Sequence, residues 1–369
     1  MSNTKLHTLA EVGQSVWLDH IDRELITTGG LTTYVYRGLR GVTSNPAIFQ
    51  KAISESNEYD VQIQQLAQAG KSTEEIYEGL AVEDSRMAAD ILRPVFDESE
   101  GRDGFFSLEV NPHLAHDKPG TINEATRLFA MVDRPNIMIK VPATPEGVMA
   151  FQHLTEEGIN INVTLMFSLE QYDQIAEAYI AAMEKRAENV YNLQQIASVA
   201  SIFVSRLDTK VDPMLEAFKT PTADVLKGRI GIANAKIAYQ HFKEAFLSER
   251  WQRLEEKGAR VQRVLYGSTG TKNPSYSDVM YVENLIGPNT VNTVPPKTLE
   301  AFIDHGTVAL TLESDLDEAR AQLHDLEALG IDINAVTREL LDEGVNNFVK
   351  PYDELIKTIN EKKAELINV

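Results

Sequence analysis

Cysteine is absent from the 369 residues of this chain. Its absence removes disulfides, thiolate nucleophiles and cysteine-based zinc sites at once. Basic charge is scarce as well: 35 Lys and Arg stand against 55 Asp and Glu, a formal net charge of −20. Such a balance opposes non-specific binding to nucleic acid or anionic lipid, so any anionic substrate must be met by a few locally placed Arg or Lys. No apolar run is long enough to cross a bilayer. The polar segment Met1–Glu11 lacks a hydrophobic signal region, so neither a secretory signal nor a membrane partner is expected, and a cytoplasmic location is. Low-complexity tracts, simple repeats and Pro/Gly-rich linkers are missing too. The stretch Gly267–Lys272 lacks the spacing of a nucleotide-binding P-loop, no HExxH zinc motif occurs, and the eight histidines form no obvious ligand pair.

What is present is an ordinary globular composition, 43% hydrophobic and 24% charged. Short β-type runs alternate with long amphipathic stretches, the pattern of repeated βα units and a parallel sheet. Eight runs qualify: Gln14–Asp19, Leu39–Thr43, Gly104–Val110, Asn136–Val141, Ile159–Leu165, Val199–Ser205, Arg260–Gly267 and Thr290–Pro295. Eight such strands suit a closed (β/α)8 barrel, a TIM barrel, better than an open sheet, and closure leaves no edge to protect. Between them, Ser72 with Glu75 and Ser168 with Gln171 read as capping boxes opening helices over Ser72–Asp97 and Ser168–Asn189. Gly228–Lys257 reads as one long helix. Ser314–Gly330 and Asn334–Asn368 read as additional C-terminal helices packed outside the barrel or over its mouth. One domain spanning residues 1–369 is expected, with the extra helices at about 314–369.

Within Asn136-Ile137-Met138-Ile139-Lys140-Val141-Pro142, a single cation interrupts an apolar strand near its end. A buried, unpaired ammonium is costly enough that the amine is expected to shed its proton, and a neutral lysine is a nucleophile. Strand alternation places Asn136, Met138 and Lys140 on one face. Applied elsewhere, the same rule opposes Asn160, Asn162 and Thr164 to Ile159, Ile161, Val163 and Leu165, and Phe105, Ser107 and Glu109 to Phe106, Leu108 and Val110. It opposes Ser15, Trp17 and Asp19 to Val16 and Leu18, and Ser201, Phe203 and Ser205 to Ile202 and Val204. If the apolar faces meet helices, Asp19, Glu109, Lys140, Asn162, Thr164 and Ser201 converge in the lumen at the strands' C-terminal ends, where barrels of this kind carry their active sites. An amine, two carboxylates, amides and hydroxyls suit imine chemistry on a ketone, with Asp19 or Glu109 taking the proton of the departing alcohol.

Plainer roles compete residue by residue. A strand-end lysine often reaches solvent, Asp19 could cap the following helix, and Glu109 could be a structural partner of Lys140. Asn45 before Pro46 reads as a helix cap. Arg206 with Asp208 and Asp212 could be a surface ion cluster. Rival classes are a metal-dependent barrel lyase or hydrolase using Asp19 and Glu109 as ligands, and a non-catalytic sugar-phosphate-binding barrel.

Five ordered segments carry a family likeness: Gly41-Val42-Thr43-Ser44-Asn45-Pro46, Ser107-Leu108-Glu109-Val110, Ile139-Lys140-Val141-Pro142-Ala143-Thr144, Ile161-Asn162-Val163-Thr164-Leu165 and Gly267-Ser268-Thr269-Gly270-Thr271-Lys272-Asn273-Pro274. From about Val16 to Thr311 the chain closely resembles transaldolase, a class I Schiff-base enzyme, in its longer bacterial form. The resemblance implies that Lys140 forms an imine with the ketose and that Asp19 is the acid/base of carbon–carbon cleavage. It implies that Glu109 acts through a water positioned by Thr164. Asn45 and Asn162 would hold hydroxyls of the dihydroxyacetone unit, Ser201 and Phe203 would line its pocket, and Arg206 and Lys272, with Ser205 as helper, would bind phosphate. At Lys272 the family's shorter members carry an arginine in a differently spaced loop. The implied reaction carries dihydroxyacetone reversibly from sedoheptulose 7-phosphate to glyceraldehyde 3-phosphate, giving erythrose 4-phosphate and fructose 6-phosphate in the non-oxidative pentose phosphate pathway. Sugar phosphates are then the partners, no cofactor is implied, and a homo-oligomer is left open. The related fructose 6-phosphate aldolases share the lysine but are shorter and tend to carry tyrosine where Phe203 stands.

Overall fold

The eight alternating runs become eight parallel strands in the computed structural model, which describes residues 3–189 and 192–367. They are β1 (Gln14–Leu18), β2 (Gly41–Thr43), β3 (Phe105–Glu109), β4 (Ile137–Pro142), β5 (Ile161–Met166), β6 (Ser198–Phe203), β7 (Arg263–Gly267) and β8 (Thr290–Val294). Each pairs with its neighbour in sequence, and β8 returns to β1, closing the ring. With helices between the strands, the architecture is a TIM barrel.

Alternation fixes what fills it. Trp17, Phe105, Met138, Val199, Leu265 and Val291 pack together inside the ring. Gly41 lies opposite Trp17 in the β1–β2 register, and a Cβ there would meet the indole at 2.6 Å, so the close approach of the ring requires glycine. Two residues further along, the same inward face presents Asp19, Ser107, Lys140, Ser201, Gly267 and Thr293. Arg263 and Asp103 form an ion pair, 2.9 Å apart, at the opposite end. Outward, Val16, Leu18, Val42, Phe106, Leu108, Ile139, Val141, Ile161 and Val163 join the main core against the helices.

Strand β5 breaks the alternation expected of it. Its register with β6 shifts between Val163 and Met166, and Leu165 adopts φ +60°. The bulge turns Leu165 away from the outward set and into a second cluster with Phe167 and Phe348, while Met166 takes the outward place.

Both capping boxes are present, opening helices Thr73–Glu98 and Leu169–Glu188. The stretch expected to be one helix over Gly228–Lys257 is two, Ile230–Phe246 and Glu249–Glu255. The break falls at Ser248, whose side chain accepts the Trp251 amide and starts a new helix. The C-terminal segments are Leu316–Ala328 and Ile333–Ile367, with Asn368 outside the described residues. Val336, Leu340, Phe348, Tyr352, Leu355 and Ile359 are buried along one stripe of the last helix. That stripe seats the helix against Pro46–Ser54, Thr73–Glu98 and Ser205–Glu216, across the barrel's C-terminal mouth. Among the described residues, no helix is long and apolar enough to cross a membrane.

Candidate active site

Lys140 lies on the inward face of β4, two residues before the strand ends at Pro142, and is 4% exposed. Its Nζ donates to the Ser44 carbonyl at 3.0 Å and stands 3.2 Å from Glu109 Oε2. The latter contact has ion-pair distance but not hydrogen-bond direction, so Glu109 Oε2 is left buried without a hydrogen-bond donor. Glu109 is the register neighbour of Lys140 across β3 and β4. Burial pushes its carboxyl up to about 7, against the lowering pull of Lys140; Asp19 adds to the rise and Arg206 opposes it. On the other flank Lys140 neighbours Asn162, and Pro142 neighbours Thr164. The Thr164 hydroxyl is likewise buried without a partner.

Asp19 follows β1. Thr43 Oγ1 donates to Asp19 Oδ1 at 2.7 Å, and Thr293 Oγ1 lies 2.7 Å from the same Thr43 oxygen, so a chain of hydroxyls across three strands fixes the carboxylate. Asn162 is held on both sides: its Nδ2 donates to Ser107 Oγ at 3.1 Å and its Oδ1 accepts from Ser201 Oγ at 2.6 Å. Asn45 does cap the Pro46–Ser54 helix, Oδ1 accepting from the Ile48 amide, which leaves its Nδ2 free to donate elsewhere. Arg206, in the first turn of Ser205–Glu216, lies over the Phe203 ring at 5.1 Å and beside Phe348 at 5.9 Å. One of its terminal nitrogens is buried and unpartnered, and burial lowers its pKa.

These groups surround a cavity of about 240 Å³ at the C-terminal mouth. A buried amine beside a carboxyl that titrates near neutrality, a second carboxylate held by hydroxyls, and an under-satisfied guanidinium make a site for covalent chemistry on a phosphorylated carbonyl compound. The family model described as Transaldolase/Fructose-6-phosphate aldolase matches residues 16–359. The chain belongs to this family. Relatives in the transaldolase family span its whole length. A protein of Trichodesmium erythraeum named transaldolase is 45% identical over 100% of both chains. One from Nostoc named transaldolase 2 is 46% identical over 100% of both. A transaldolase of Thiobacillus denitrificans is 46% identical over 95% of this chain and 98% of its own.

Of the residues the transaldolase likeness nominates, Asp19, Asn45, Lys140, Asn162, Thr164, Ser201, Phe203, Arg206 and Lys272 line the cavity. Glu109 sits against Lys140 rather than on the wall. Ser205 does not line it; its hydroxyl lies 2.9 Å from that of Ser268. Among the lining or anchoring groups that the sequence does not nominate are Thr43, Thr293, the Ser44 carbonyl and Phe348. Extending the alternation rule to β2 and β8 finds both threonines. Phe348 carries no such signal, because a phenylalanine on a helix's apolar stripe reads as core.

Proposed function

We propose that the protein is a transaldolase, moving a dihydroxyacetone unit between sugar phosphates through an imine on Lys140. The observation that carries this reading is the Lys140 amine, 4% exposed and 3.2 Å from a carboxyl at the mouth of the barrel. The amine attacks the ketose C2 carbonyl, and the carbinolamine loses water to a protonated imine. Glu109, poised at about 7, gives and takes the proton of that water; its Oε2 and the Thr164 hydroxyl both retain unused hydrogen-bonding capacity for it. Asp19 accepts the proton of the C4 hydroxyl as the C3–C4 bond breaks. The electron pair passes into the imine as an enamine, and the aldose leaves. The steps then reverse onto the acceptor aldehyde. No cofactor enters the scheme, because the imine is the electron sink.

Asn162, oriented by Ser107 and Ser201, and Asn45 hold hydroxyls of the three-carbon unit. Arg206 and Lys272 receive the phosphate. Sedoheptulose 7-phosphate or fructose 6-phosphate is the donor, and glyceraldehyde 3-phosphate or erythrose 4-phosphate the acceptor. A coupled assay with fructose 6-phosphate and erythrose 4-phosphate tests the assignment. Sedoheptulose 7-phosphate formed only with acceptor present is expected, whereas dihydroxyacetone released at a similar rate without acceptor would make the protein an aldolase instead. Turnover unchanged by a chelator is expected, and its loss would favour a metal-dependent route.

A further inference from the structure

Lys272 lies in a loop that is tied down on both sides to the helix bearing Arg206. Four residues before it, the Ser268 carbonyl accepts the Ser205 amide at 3.0 Å, the two hydroxyls are 2.9 Å apart, and Ser268 sits at φ +53°. Four residues after it, the Tyr276 hydroxyl donates to Asp212 Oδ2 at 2.7 Å. The other oxygen of Asp212 accepts the Gly228 amide at 2.9 Å. Gly228, at φ +67°, is packed so closely that a Cβ would meet the Tyr276 ring at 2.8 Å. One helical turn earlier, buried Asp208 repeats the arrangement: Oδ1 accepts the Gly231 amide at 2.7 Å, and Oδ2 accepts the Tyr281 hydroxyl at 2.8 Å.

Two aspartates at i and i+4 on one helix thus each take one backbone amide and one tyrosine hydroxyl. Both tyrosines come from the segment that carries Lys272. Lys272 itself is exposed, so nothing in its own packing holds it at the cavity. We propose that Tyr276 and Asp212, backed by the Tyr281–Asp208 pair, are positioning residues that set the spacing of Lys272 and Arg206 and thereby the affinity for the substrate's phosphate. The proposal rests on the phosphate role given above to those two cations. A long flexible lysine recognises phosphate as a point charge, and its effective contribution depends on where the loop holds its Cα.

A double-mutant cycle between Tyr276→Phe and Lys272→Met decides it. Tyr276→Phe is expected to raise both the KM for fructose 6-phosphate and the inhibition constant of inorganic phosphate by about three- to tenfold, the worth of one hydrogen bond. kcat should stay within about twofold. Added to Lys272→Met, it should do nothing further. Asp212→Asn, which keeps an acceptor for Gly228 and a partner for Tyr276, should remain near wild type, while Asp212→Ala should match or exceed Tyr276→Phe. A Tyr276→Phe protein with a lowered Tm but unchanged phosphate inhibition, or effects that multiply with Lys272→Met, overturns the proposal. If wild type fails to turn over the ketose, the functional reading falls, and calorimetric titration with inorganic phosphate still decides the clamp. Weaker phosphate binding in Tyr276→Phe supports it, and equal binding, or none in wild type, refutes it.

Discussion

Glu109 is held near neutrality by burial acting against Lys140, and that balance gives a pH signature. In the proposed mechanism the carboxyl must be protonated to help expel water from the carbinolamine, so imine formation should slow as pH rises past about 7. Glu109→Gln should lower that rate by about 10² to 10³ and erase the inflection, as stopped-flow measurement over pH 5.5–8.5 would reveal; an unchanged profile contradicts the role. Thr43 supports Asp19 by donating a hydrogen bond to its Oδ1. Thr43→Val should leave KM near wild type and reduce kcat by about tenfold, since it removes the donor that fixes the carboxylate. Equal losses in the back-reaction would accompany it.

The terminal helix, Ile333–Ile367, brings Phe348 within 5.8 Å of the Lys140 nitrogen and 5.9 Å of the Arg206 guanidinium carbon. It thereby places an aromatic wall beside the Lys140 amine. Phe348→Ala should destabilise the fold by about 3 kcal/mol and raise acceptor-free dihydroxyacetone release severalfold as water reaches the enamine. A melt together with an acceptor-free product assay separates these two effects, and unchanged release would confine Phe348 to packing. The elements also show what a sequence conveys and what it conceals. Lys140, Glu109, Asn162, Thr164 and Asp19 were legible because period-two alternation is rigid and a polar group in an apolar strand is conspicuous. Leu165 was misplaced because a bulge is a one-residue event that no alternation rule anticipates. The break at Ser248 was missed because the apolar pattern continues through it while the capping serine competes locally for the Trp251 amide. Phe348 was illegible because helical stripes bury aromatics by the dozen without marking which one meets a cavity.

Across the whole molecule, Asp208 gives stability a pH slope of definite sign. Its carboxyl is 1% exposed and burial pushes it up to about 7, against hydrogen bonds from Gly231 and Tyr281. A folded-state value above the unfolded one of about 3.9 means the contribution is fully present below pH 4 and is lost as pH rises through 7, about 4 kcal/mol in all. Asp208→Asn should therefore melt above wild type at pH 8 and close to it at pH 4, and the reverse order would contradict the assignment. We further propose that barrel and terminal helices form one folding unit. The two tryptophans suit the test: Trp17 lies inside the barrel, and Trp251 lies outside it against Tyr179 and Phe246. Single-tryptophan variants Trp17→Phe and Trp251→Phe should each unfold with coincident fluorescence and far-ultraviolet transitions. Separated midpoints within one variant would indicate two units.

The most direct test of the account is the intact mass of the protein after borohydride reduction in the presence of fructose 6-phosphate. Wild type should gain one reduced dihydroxyacetone unit, localised by peptide mapping to Lys140, and Lys140→Arg should gain none. No adduct on wild type, or an adduct on another lysine, would contradict it.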